Sequence, residues 1–372
     1  MDTTELVSGN TAFALELYAH LARANGNIAI SPFSVSSALA MTWSGARGET
    51  AEEMRAVLHL PGARAHAGFA TLVDSITTDR PMVELAVANG LFINAKVQLL
   101  DGFKEITRDQ YFANTESLDF GQPQAVVEHI NRWISEQTRE RINDCLSEQE
   151  PPSQIVLVNA VAFKGAWRRP FDKRATTPQA FFAPSGAETV PMMMQSLQTR
   201  YGALPSMTAV ELQFSDGSDL ALLVLLPNAR DGLAALEQRL TPALLHEVNA
   251  SLETSDVVVA LPRFTIDARY PLEETLPAMG MTKAIKGPAD FSAMMTAPLR
   301  IGRVTHRVFI EVNEEGAEAA AATVIETTIT AKQRHPKSFR ADHPFLFALR
   351  DLRSGTLLFL GRVENPAPRE RR

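Results

Sequence analysis

Apolar and polar positions repeat with two different periods along this chain, and the changeover divides it. Early on the helical period dominates. Residues 11–24, 31–46 and 48–58 read as helices. Phe13, Leu15, Leu17 and Leu21 supply the candidate core face of the first. Pro32 opens the second, where its missing N–H costs nothing, and Gly45 stands near its end. Thr50 and Glu53 have the spacing of a capping box in the third. VELAVANGLFINA (83–95) alternates as a long strand, and QAVVEHINRWISEQTRERI (124–142) is a strongly periodic helix. IVLVNAVAFKGAW (155–167) is a near-continuous apolar run, the pattern of a central strand buried on both faces. Strands then dominate at 209–214, 221–227, 257–266, 306–313, 343–351 and 356–363, with helices near 231–251 and 271–281. Helices first and strands later predict a mixed α+β architecture rather than alternating βαβ units. No internal repeat, low-complexity linker or clear domain boundary interrupts the pattern.

One segment fits neither period cleanly. EEGAEAAAATVIETT, Glu314 to Thr328, has no large side chain before Val324. Alanine favours helix. Gly316 and the β-branched Thr323–Thr330 stretch favour a pivot and a strand instead. As a strand, Ala317, Ala319, Ala321 and Thr323 share one face, and Glu318, Ala320, Ala322, Val324 and Glu326 share the other. That is a half-buried strand whose inner face is small or apolar throughout; an exposed alanine-rich helix or linker is the alternative from composition alone.

The 372 residues, 45% of them hydrophobic, are ample for a large core. The net charge of −7 argues against a nucleic-acid partner, which needs a basic face. Cys145 is the single cysteine, so no internal disulfide forms, and NDCLSEQ offers it no base; a structural thiol is the expectation. No apolar run reaches the about 18 residues of a membrane span. The opening MDTTELVSGNTAFALELYAHL lacks the basic and apolar regions of a signal peptide. An extracellular location is favoured if a leader has been removed and a cytoplasmic one otherwise, so the compartment stays open. GxSxG, HExxH, GxGxxG, Walker and CxxC motifs are all missing, and no two of the eight histidines have zinc-ligand spacing with a third donor nearby. Neither an enzyme, a cofactor nor a metal is expected. PMMMQ (191–195) reads as gap-filling core, and His306 as a core histidine with a hydrogen-bond partner.

Over essentially its whole length, and in the same order, the chain resembles the serpins, the serine protease inhibitors. NIAISPFSVSSALAMTWSGARGET (27–50), LVNAVAFKGAWRRPF (157–171), VPMM (190–193), HRVFIEVNEEGAEAAAATVIE (306–326), FRADHPFLFALRD (339–351) and FLGRVENP (359–366) carry the resemblance. It implies one domain over 1–372, with three β-sheets around a large central sheet, eight or nine helices, and an exposed reactive-centre loop at about 314–338. A target serine protease cleaves that loop and is held as an acyl-enzyme, while the loop inserts as a new strand in the central sheet. The hinge then comprises Glu314, Glu315, Gly316, Ala317, Glu318, Ala319, Ala320, Ala321, Ala322 and Thr323. It keeps the small residues of inhibitory members, where non-inhibitory carriers and chaperones often place bulky, charged or proline residues. Counted from Glu314, the seventeenth residue is Thr330, so Thr330–Ala331 is the expected reactive bond, suiting elastase-like or subtilisin-like proteases. Ile329–Thr330, Ala331–Lys332, Lys332–Gln333 and Arg334–His335 are alternatives, and cutting after Lys332 or Arg334 implies trypsin-like targets.

By the same match Ser31, Ser34, Asn159 and His306 form the shutter, a polar cluster under the central sheet. Trp167 marks the breach, where insertion begins. Asn131 and Trp133 lie in the helix that crosses the sheet and must yield. The stretch matching the family's heparin-binding helix, 62–80, holds only Arg64, His66 and Arg80 as basic or near-basic residues, which argues against a heparin cofactor. The expected state is a monomer able to form loop-sheet polymers.

Overall fold

A computed structural model describes residues 3–78, 80–147, 154–315 and 336–367. Among them are nine α-helices: α1 Thr4–Leu21, α2 Pro32–Ser44, α3 Gly48–Val57, α4 Ala65–Thr77, α5 Asp101–Tyr111, α6 Pro123–Gln137, α7 Leu233–Gln238, α8 Pro242–Ser251 and α9 Thr275–Ala278. The first eight strands are β1 Ile28–Ile30, β2 Val83–Asn94, β3 Asn114–Leu118, β4 Ile155–Gly165, β5 Thr177–Ala183, β6 Gly186–Leu204, β7 Met207–Gln213 and β8 Leu220–Pro227. The rest are β9 Glu253–Pro262, β10 Phe264–Pro271, β11 Ile301–Val312, β12 Lys337–Arg340, β13 Phe345–Asp351 and β14 Leu357–Val363.

The near-continuous apolar run becomes β4, the middle strand of a five-stranded sheet ordered β10-β11-β4-β2-β3. Its period of two fills two cores at once. Leu157, Val161 and Phe163 join Leu91, Ile93 and Phe359 in the main core. Val156, Val158, Ala160 and Ala162 face the other way, against Val126, Val127, Ile130 and Ile134 of α6. Those four residues are the buried stripe of that helix, which is why its sequence is so strongly periodic. Trp133 meets Phe92 edge-on, with ring centroids 5.5 Å apart.

The remaining strands hydrogen-bond in the order β1-β14-β13-β8-β7-β6-β9-β12, with β5 on β6. The resemblance implies three sheets; among the described residues hydrogen bonding links the strands into two. The reason is β6, which runs unbroken for 19 residues, pairing with β5 near its start and β7 near its end.

Three sequence expectations change. The single strand expected at 257–266 is two strands, because the chain leaves one sheet after Pro262 and enters the other at Phe264. The capping box in α3 does not form. The N-cap is Arg47, and the Thr50 hydroxyl and Glu53 carboxylate instead accept the backbone N–H groups of Asp290 and Lys283. A tertiary loop has taken both acceptors. The first helix begins at Thr4, earlier than residue 11, and ends at Leu21, which is only partly buried.

Candidate functional site

In β4, identical strand chemistry meets two different neighbours. Toward β2 the pairing is antiparallel, from Val83↔Gly165 to Ile93↔Ile155. Toward β11 it is parallel, from Ile301↔Ile155 to Ile310↔Phe163, with an irregularity between Ile301 and Arg303. Parallel ladders have slanted bonds and are slightly weaker per residue. The chain leaves β11 at Val312, the same end of the seam at which β4 finishes at Gly165. A segment turning back from there into the seam runs antiparallel to both neighbours.

Across the middle of this sheet Tyr270, His306, Asn159 and Asn89 stand in one register row on adjacent strands. Directly paired residues share a face, so the row is contiguous. The Ser31 backbone N–H, at the start of α2, donates to His306 Nε2 at 2.9 Å. That bond makes Nε2 the acceptor, so Nδ1 carries the proton and donates to Asn159 Oδ1 at 2.6 Å. The Asn159 amide in turn donates to the Ser34 hydroxyl and, at 2.5 Å, to Asn89 Oδ1. Tyr270 stacks on the imidazole, with centroids 6.0 Å apart, and its hydroxyl accepts the Ala29 N–H. Complete burial pushes the His306 pKa down to about 3, so the ring is neutral. The four expected shutter residues therefore meet, with one refinement: Ser31 reaches the histidine through its backbone, not its hydroxyl. Asn89 was not anticipated. Its signal is a carboxamide between the small and apolar residues Leu85–Ala88 and Gly90–Ile93 of β2.

The exit from β11 is anchored by a second cluster. Trp167 Nε1 donates to the Asn313 carbonyl at 2.7 Å, and its indole stacks on Phe214 at 4.5 Å. The Phe171 N–H donates to the Glu314 carbonyl at 2.9 Å. The Glu314 side chain is buried, accepting Arg263 Nε at 2.6 Å and the Thr176 hydroxyl at 2.5 Å. Burial raises this carboxyl's pKa, but the hydrogen bonds from Arg263 and Thr176 outweigh it and hold the group below the ordinary range. Glu315 pairs with Lys173. Glu314 and Glu315 are thus fixed to neighbouring strands and loops. The rest of the expected hinge, Gly316 to Thr323, and every expected cleavage position including Thr330–Ala331 lie outside the described residues.

On the outer face, Asn131 of α6 holds the segment leading back to β4. Its Oδ1 accepts the Cys145 and Leu146 N–H groups and its Nδ2 donates to the Leu146 carbonyl. Arg307 of β11 pairs with Asp144 of that segment at 3.0 Å and with Asp267 of β10 at 2.8 Å. Burial pushes the Cys145 thiol up to about 12, so it is a packed structural group at neutral pH. Of the basic residues in 62–80, Arg80 is buried against Asp351 and His66 stacks on Trp43. No group of three metal-ligating side chains occurs among the described residues, and none of their helices is long and apolar enough to cross a membrane.

The serpin family (serine protease inhibitor) matches residues 8–366. A leukocyte elastase inhibitor of Bos taurus is 38% identical, covering 97% of this chain and 100% of that one. An uncharacterised serpin-like protein of Thermococcus kodakarensis is 38% identical over 97% of this chain and 86% of its own length. Among solved structures, Serpin48 of the insect Tenebrio molitor superposes with a TM-score of 0.88 at 30% identity, covering 98% of this chain and 99% of that one. Human thyroxine-binding globulin in complex with its hormone gives 0.89 at 28% identity, covering 98% and 100%. The chain belongs to the serpin family, with homologues that are protease inhibitors.

Proposed function

We propose that this chain is a suicide-substrate inhibitor of serine proteases, and that its hinge enters the seam between β4 and β11. The observation that carries the reading is the parallel seam itself, open at the end where the chain leaves β11. An inserted strand gains antiparallel ladders on both sides. Residues Ala317 to Thr330 at about 3.4 Å each span roughly 48 Å. Insertion therefore carries the acylated end from one end of the sheet to the other. The inward face Ala317, Ala319, Ala321 and Thr323 fits a packed sheet without overpacking. New ladder bonds at a net ~0.5–1.5 kcal/mol each sum to on the order of ten kcal/mol. The uncleaved fold is then kinetically trapped.

Insertion must separate His306 from Asn159, so the shutter row gates the process, and Trp167 with Glu314 sets where the sheet parts. The target is an elastase-like or subtilisin-like protease cutting Thr330–Ala331; the leukocyte elastase inhibitor relative supports that class. The test is parallel incubation with pancreatic elastase, subtilisin and trypsin, followed by denaturing gels and mass spectrometry of the released peptide. The expected result is a covalent complex with elastase or subtilisin and a peptide beginning at Ala331. A trypsin complex with a peptide beginning at Gln333 or His335 keeps the mechanism and moves the bond. Cleavage by all three without a complex ends the inhibitory reading.

A further inference from the structure

One strand of the larger sheet has an edge that its neighbours leave open. At Met192 strand β6 is flanked by β5 on one side and β9 on the other, and at Arg200 by β7 and β9. So β5 and β7 share one edge of β6, and between them no described strand pairs with residues 193–199 on that edge. The parity of this stretch is set by the Pro191 carbonyl, which accepts the Arg263 N–H as the chain leaves β9. The β6–β9 register then continues without a shift to Tyr201. Alternation sends the N–H and C=O groups of Met194, Ser196 and Gln198 to the open edge.

Beside that edge Gln195, Gln198 and Arg200 of β6 line a cleft of about 340 Å³ together with Trp167, Arg168 and Arg169. Its volume lies in the range of about 300–1,000 Å³ usual for ligand sites. The one buried carboxylate in the lining, Glu211, is claimed twice: by Arg200 at 2.8 Å and by Arg350. Arg168 pairs with the exposed Asp216 at 2.6 Å. The exposed Arg169 guanidinium adds to the positive surplus. An unpaired strand edge in a basic cleft suits one kind of occupant. Backbone groups recruit an extended chain, and charge selects an acidic one. Trp167 also ties the cleft to the exit from β11, through its bonds to Asn313 and Glu315. A protein engaged at that end of the molecule lies beside it.

We propose that this cleft docks an extended acidic segment of a partner protein, which adds as a short strand to β6 at Met194–Gln198. The docking is independent of whether the hinge inserts. The probe is a fluorescein-labelled pentapeptide of alternating glutamate and valine, followed by polarisation on the full chain. Saturable binding is expected, with none for the lysine–valine analogue. N-methylation of the amides along one peptide edge is expected to weaken binding about ten-fold, because the ladder bonds go. Arg169→Glu, at an exposed side chain, is expected to weaken it several-fold with an unchanged melting temperature. Absence of binding overturns the proposal. So does equal affinity of the N-methylated peptide with displacement by a sulfated disaccharide, which makes the cleft an anion pocket rather than a strand site.

Discussion

The two long edges of β4 are built from the same eleven residues yet differ in what they permit. The β2 edge is antiparallel and regular from end to end, and α6 packs over it through Trp133 and Phe92. The β11 edge is parallel, irregular at Ile301/Arg303, and crossed at its middle by the bond from His306 to Asn159. Two strands that both run toward the same end leave room, in topology, for a third between them running back. A strand entering between an antiparallel pair must run parallel to one of its two neighbours. Every residue of β4 except Lys164 is buried, so hydrophobicity does not distinguish the edges. Strand direction does, while the polar row crosses both edges, from His306 to Asn159 on one and from Asn159 to Asn89 on the other.

Several substitutions set the edges against each other. The largest effect is expected for Ala317→Arg, which forces a charge onto the inward face of an inserting strand. The variant should be cleaved without forming a covalent complex on denaturing gels. Retention of wild-type stoichiometry sinks the face assignment. Next comes His306→Ala, which leaves the Ser31 N–H and the Asn159 carboxamide without their partner. A loss of about 2–4 kcal/mol in denaturant unfolding, with faster polymerisation on warming, is expected.

A pH effect is third. The His306 pKa is depressed in the fold, so below the ordinary histidine range the unfolded chain binds a proton that the native state refuses. Stability therefore falls with pH from about 6.5 toward 3, by up to about 1.4 kcal/mol for each pH unit. His306→Gln keeps an acceptor and a donor and should flatten that slope; an unchanged slope assigns it to other groups. Glu314 acts lower down. Its folded carboxyl is held below the ordinary range, so its contribution is present above the unfolded value near about 4.3 and fades below it. Glu314→Gln should therefore melt less steeply than the parent between about pH 4.5 and 3. The smallest effect is expected on the other edge. Trp133→Phe trims the contact with Phe92 and should cost about 1 kcal/mol while leaving complex formation intact. If it alters inhibition as strongly as changes at His306, the contrast between the edges fails.

Much of this was legible in the residues. The period of α6 was readable because one stripe faces a flat sheet, and β4 because both of its faces are filled. His306 stood out on an apolar strand, Ser31, Ser34 and Asn159 entered only through the family resemblance, and the tertiary structure brings the four together. Asn89 escaped, because one amide in an alternating strand looks like an outward position until its partner strand is known. Thr50 and Glu53 misled for a related reason. Their spacing satisfies a local cap, but the loop at 283–290 supplies donors that no local rule contains. The break at Arg263 escaped as well, since VVVALPRFTI reads as one strand until two sheets compete for its halves.

What the sequence by itself determined is whatever depends on neighbours a few residues away. That includes the helical stripe of α6, the double-faced strand β4, the run of small residues from Ala317 to Thr323, and membership of the family through motifs in order. Tertiary structure decided the rest: that β11 lies parallel to β4, that His306 carries its proton on Nδ1, and that Glu314 turns inward onto Arg263. Each of these rests on a partner many residues distant, and a hydrogen bond acquires its direction only when both ends are in place.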